Sequence, residues 1–136
     1  MKFCRFQEIE HTADLAIKIQ ASDFQQLLGC ASHALHALLN LVFTPSDEQE
    51  RVIKLAAPDR ESLLVRWVEE QLYLIEVEKR GWRAWSLNIP EPNELVAVVH
   101  TASIAPLERQ IKAVTFHDLE IRECADGLEA VLVFDV

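Results

Sequence analysis

The spacing of apolar side chains constrains this chain most, because its period switches back and forth along the sequence. From Leu15 the order Leu-Ala-Ile-Lys-Ile-Gln-Ala puts Leu15, Ile17, Ile19 and Ala21 on one side of an extended chain, the alternation of a half-buried strand. A shorter strand at Phe3–Ile9 precedes it. Phe24, Leu27, Leu28, Ala31, Leu35, Leu38 and Leu39 then recur at helical spacing, predicting a helix to about Val42. Ser22 is its expected N-cap, with Gln25 as the capping-box partner. After Pro45, Ser46 and Asp47 the period returns to two over Arg51–Ala57, and Pro58 stops that strand. Asp59 can cap a second helix with Leu64, Trp67, Val68, Leu72 and Ile75 on its buried stripe, and Gly81 is its expected C-cap.

Beyond Gly81 only strand alternation remains. Segments Trp82–Ile89, Glu94–Ile104, Ile111–Arg122 and Gly127–Val136 are separated by Pro90 and Pro92, by Pro106 and by Asp126-Gly127, and the last two are expected to form a hairpin. The order β-β-α-β-α-β-β-β-β implies an α+β fold in which two helices pack on mostly antiparallel sheets. At 136 residues, half of them apolar, the chain holds enough material for one core and too little for two ordinary domains, so one domain over 1–136 is expected.

Charge narrows the function. A formal net charge of -9, with no stripe of Lys and Arg interleaved with aromatics, repels phosphate backbones, so tight direct binding of RNA or DNA is not expected. A basic protein surface or a metal ion is the expected partner instead. Cys4, Cys30 and Cys124 are odd in number and widely separated, without zinc or dithiol spacing, which suggests a reducing compartment. The start of the chain has no apolar signal core, and no apolar run approaches the ~18 residues of a membrane span, so the cytoplasm is the expected location.

Few residues can carry chemistry, because there is no Gly-rich phosphate loop, no Ser nucleophile elbow and no Cys-centred metal spacing. His33 and His36 lie one helical turn apart, which could serve a metal, yet both fall off the apolar stripe beside Gln25, Gln26, Ser32 and Asn40, so a solvated face is favoured. Trp67, Trp82 and Trp85 suit packing better than base stacking. His11 and Asp14 stand where the first strand gives way to the second, and Asp14 could equally cap a turn. Asp135 shares its face with Val131 and Val133, a placement that calls for a cation or hydrogen-bond donors. Lys112, Thr115 and His117 form a third polar set, and an ion pair of Lys112 with Asp135 across the hairpin is an equally open, purely structural alternative.

Four blocks, His11-Thr12-Ala13-Asp14, Leu63 to Leu74, Lys112-Ala113-Val114-Thr115-Phe116-His117 and Phe134-Asp135-Val136, together resemble the archease family over essentially the whole chain. Archeases are activating cofactors of the RtcB-type RNA ligase, which joins tRNA halves or other broken RNA ends through a guanylylated histidine. The resemblance implies a helper that catalyses nothing itself and promotes the ligase's guanylylation and multiple turnover in tRNA splicing or RNA repair. It also implies a metal site at an acidic tip. Carried over, Asp14 and Asp135 would be side-chain ligands and Val136 would add a backbone carbonyl, while His11, Lys112, Thr115 and His117 would line the same region or meet the partner. Oxygen ligands imply Ca²⁺ or Mg²⁺, with Mn²⁺ a further candidate. A second implication is a metal-binding, chaperone-like modulator of a tRNA methyltransferase or other RNA-modifying enzyme, and a stand-alone metal-dependent hydrolase is a third alternative. Two departures stand out: Phe116 replaces the family's Tyr, and the segment from Thr101 to Gln110 is short for the family.

Overall fold

The computed structural model describes residues 2–9, 15–116 and 118–136. In chain order they form β1 (Cys4–Ile9), β2 (Leu15–Ala21), α1 (Phe24–Leu38), β3 (Gln49–Ala56), α2 (Arg60–Glu78), β4 (Arg80–Asn88), β5 (Glu94–Ser103), β6 (Ala113–Thr115), β7 (Arg122–Cys124) and β8 (Gly127–Asp135). One sheet runs β1-β2-β8-β6, with β7 also paired to β8, and the other runs β3-β5-β4. All the pairings are antiparallel. The expected α+β class of two helices on antiparallel sheets is what the chain adopts.

α1 packs against β1 and β2, and α2 against β4, β3 and β6. The core between them holds Ile17, Ile19, Leu132 and Phe134 from the first sheet, Leu27, Leu28 and Leu35 from α1, and Trp67 from α2 against Trp82 of β4. A polar crossing within it joins the helices. The Trp67 indole N–H donates to Leu28 O (2.8 Å) and to Ser32 Oγ (2.9 Å), and the Gln71 amide donates to Ser32 Oγ (2.8 Å). Burial without such partners would cost more than the bonds return, so these three polar side chains can be fully buried only as a set. Ser32 is therefore an interior residue, contrary to its expected place on a wet face.

Several boundaries differ from the sequence expectation, each for a local reason. The N-cap of α1 is Asp23, whose carboxylate accepts from Gln26 N, because Ser22 Oγ instead accepts from Phe3 N and Gln25 donates to Leu87 O. α1 stops at Leu38 rather than near Val42: Asn40 adopts a left-handed conformation (φ 47) and Leu41 N reaches back to His36 O. In α2 the Asp59 cap forms as expected, but the left-handed C-cap is Lys79 (φ 56). Gly81 already lies in β4, where a Cβ would press 2.8 Å from the Leu41 side chain.

The strand expected over Ile111–Arg122 is two strands. Leu119 N donates to Phe116 O, Asp118 is left-handed (φ 54), and Ile121 N is drawn to Glu61 Oε2 on α2 (3.3 Å), so the chain leaves β8 after Thr115 and rejoins it at Arg122. The expected hairpin survives as β7–β8, with Cys124 opposite Gly127.

The cysteine expectation is also corrected. Cys4 of β1 and Cys30 of α1 are joined by a disulfide with their Cα atoms 5.4 Å apart, a separation typical of disulfides, and Cys124 is free. Linear spacing misses such a pair because packing, not sequence, brings positions 4 and 30 together.

Candidate functional site

The last turn of sequence in β8 gathers most of the candidates. Leu15 of β2 pairs with Phe134 on one side of β8; on the other, Ala113, Val114 and Thr115 of β6 pair with Asp135, Phe134 and Val133. Lys112 N donates to Asp135 O (2.8 Å), carrying the ladder one step beyond β6. Lys112, Thr115, Asp135 and Val136 therefore meet at one end of the first sheet, although up to 24 positions separate them in sequence. His11, Asp14 and His117 lie outside the described residues. Their described neighbours Leu15 and Phe116 flank this same sheet end.

Faces follow from the pleat. Leu128, Ala130, Leu132 and Phe134 point into the core, so Val131, Val133 and Asp135 share the opposite side, as the alternation predicts. That side does not bury the acid: Val133 is covered, but Asp135 is exposed, and its carboxylate is solvated. Lys112 is exposed too, and no ion pair joins its ammonium to the Asp135 carboxylate; the two are linked through backbone only. The Asp135 side chain remains available to a cation. Phe116, 54 % exposed, adds an apolar surface beside this end where a Tyr would have carried a hydroxyl.

Oxygen is the donor type here, in the Asp135 carboxylate and the backbone carbonyls around it, which suits a hard divalent cation and not zinc. Among the described residues no three His, Cys, Asp or Glu side chains converge. At this sheet end the described residues offer the Asp135 carboxylate, and Asp14 lies outside them.

The other histidine pair behaves differently from its sequence expectation. His33 is exposed, but His36 packs edge-on to Trp85 (5.7 Å between centroids) and Phe43 (6.3 Å), with a buried Nε2 that has no hydrogen-bond partner. Burial lowers the His36 pKa to about 4, and His33 adds a smaller push in the same direction. His36 is neutral packing material, and a signal for that was present in Phe43 and Trp85, apolar residues that no single period links to α1. A cleft of about 440 Å³ between α2 and residues 104–111 is lined largely by Leu72, Ile75, Ile104, Pro106, Leu107 and Ile111, with no cluster of titratable groups suited to catalysis.

The family model of the Archease protein family matches residues 6–136. Among curated relatives, the chain is 33 % identical to Protein archease of Methanosarcina barkeri over 140 residues, covering 97 % of this chain and 96 % of the relative. It is 31 % identical to that of Methanosarcina acetivorans over 142 residues, with the same coverage. Among solved structures, an archease described as a possible chaperone, from Thermotoga maritima, superposes with a TM-score of 0.72 at 28 % identity, covering 96 % of both chains. Protein 1598 of Methanobacterium thermoautotrophicum shares the fold, with a TM-score of 0.68 at 20 % identity over 96 % of this chain and 98 % of that one.

Proposed function

The chain belongs to the archease family, and from that premise we propose that it is a non-catalytic protein cofactor that activates an RtcB-type RNA ligase. The observation that carries the proposal is the end of the first sheet, where Asp135 holds an exposed carboxylate uncommitted to Lys112, with Lys112, Thr115 and Val136 around it. In this reading Asp14 and Asp135, with the Val136 carbonyl, hold a divalent cation such as Ca²⁺, Mg²⁺ or Mn²⁺. His11, Lys112, Thr115 and His117 line the same tip or contact the ligase. The bound cation would supply positive charge at an otherwise acidic surface. The protein's own residues present that tip to the ligase and help its nucleotide site to organise, which requires no nucleophile here. The net charge of -9 favours docking on a basic protein over docking on RNA.

The experiment is Asp135→Asn, melted with and without excess Mg²⁺ or Ca²⁺ beside a guanylylation assay of the candidate ligase. An exposed carboxylate without an ion-pair partner among the described residues leaves the cation-free stability within about 0.5 kcal/mol of wild type. Cation-dependent stabilisation and ligase activation should fall together. Undiminished activation per folded molecule would refute the site. The description of the Thermotoga maritima relative as a possible chaperone favours a second reading, a chaperone-like modulator of a tRNA methyltransferase or another RNA-modifying enzyme. Unchanged ligase guanylylation with and without the wild-type protein would favour it.

A further inference from the structure

We propose that Cys4 and Cys30 form a reversible dithiol–disulfide site whose redox state sets how firmly the edge strand β1 is held to the protein. Among the described residues β1 pairs on one side only, with β2, and Cys4 to Glu8 are exposed, so burial does little to fix it. Its side-chain ties are weak: Glu8 meets Arg109 at 3.1 Å and Arg5 meets Asp126 at 3.6 Å, all solvent-accessible. Beyond its six-residue backbone ladder to β2, the covalent bond to α1 is its strong anchor.

The two sulfurs differ in a way that directs the chemistry. Cys4 is exposed and Cys30 is 1 % exposed, so an external thiolate reaches Cys4 Sγ. Attack there forms a mixed disulfide and breaks the Cys4–Cys30 bond, whose electron pair leaves on Cys30 Sγ and takes up a proton. A second external thiolate then displaces Cys4, so that two external thiols are oxidised to one disulfide while the protein gains two thiols. Cys30 Sγ lies 3.4 Å from Arg5 O and 3.7 Å from Gln20 O. Those carbonyls can accept the new S–H once the two sulfurs have moved apart. Reoxidation by a small disulfide starts at Cys4, the exposed member of the pair.

The test uses Cys124→Ser protein, in which Cys4 and Cys30 are the remaining cysteines. Dithiothreitol and then oxidised glutathione are applied, thiols are counted by alkylation in denaturant, and amide exchange is followed at each stage. Expected are two reactive thiols after reduction and none after reoxidation, with exchange across Cys4–Ile9 about tenfold faster in the reduced form and slow again on reoxidation. Exchange in β8 should not change, which separates local release of β1 from unfolding. Cys4→Ser in the same background should exchange at the fast rate under both treatments. Failure of oxidised glutathione to consume both thiols, or equal β1 exchange in the two states, would overturn the proposal.

Discussion

Ser32→Ala tests whether the buried polar crossing between the helices is a stabilising set or an accident of packing. The hydroxyl accepts from both Trp67 Nε1 and Gln71 Nε2, and Ser32 and Gln71 are at most 1 % exposed. Removing it does not strand the indole, which keeps its 2.8 Å bond to Leu28 O. The Gln71 amide is left with only a 3.3 Å contact to Trp67 O, one turn back on its own helix. Leaving a buried donor so poorly matched costs about 1–3 kcal/mol. With an m-value of ~2 kcal/mol/M, the urea midpoint should fall by roughly 0.5–1.5 M. Gln71→Leu behaves otherwise, because Gln71 Oε1 is buried without a partner in the native protein and the substitution removes that orphan along with the donor. Its stability should stay within about 1 kcal/mol of wild type, and the double substitution should cost less than the sum by about 1 kcal/mol. A Ser32→Ala variant within 0.5 M of wild type, additive with Gln71→Leu, would refute the assignment.

Gly127→Ala should be the more damaging small change: its Cβ would overlap Ala21 O and lie 2.8 Å from Ser22 Cα, backbone that cannot turn aside, for a cost of about 2–3 kcal/mol seen as a lowered melting temperature. His36 binds its proton near 6.5 in the unfolded chain and at about 4 in the folded one, so its contribution is complete above pH ~6.5 and is lost as pH falls toward 4. Urea titrations at pH 7, 5.5 and 4 should show this loss, and His36→Phe should flatten the slope; an unchanged slope would refute the assignment.

Where chain neighbours decide structure, the sequence was legible. The alternation at Leu15–Ala21 marked β2 to the residue, and Asp59 capped α2 because a carboxylate three positions before an amide N needs nothing else. Choices settled by tertiary contact were not. Ser22 and Asp23 are both good caps, and only the arrival of Phe3 decided which one served α1. Glu61 on α2 drew Ile121 out of line and split one apparent strand, and no local pattern around Thr115 records that. At the candidate site, alternation correctly put Asp135 on the face of Val131 and Val133, but could not say that this face reaches solvent at its end. The backbone link from Lys112 to Asp135 likewise needed the register.

β8 follows the other described elements in sequence, yet it sits inside its sheet, between β2 on one side and β6 and β7 on the other. During synthesis, everything before Gly127 must therefore wait on the ribosome with β2 unpaired on one edge and Ile17 and Ile19 facing a groove that Leu132 and Ala130 have yet to fill. Contacts such as Leu15 with Phe134 span nearly the whole chain, so loop closure comes late and its entropy must be met before the sheet rewards it. Until the nine-residue β8 strand pairs, the nascent protein is consequently exposed to aggregation along the open edge of β2.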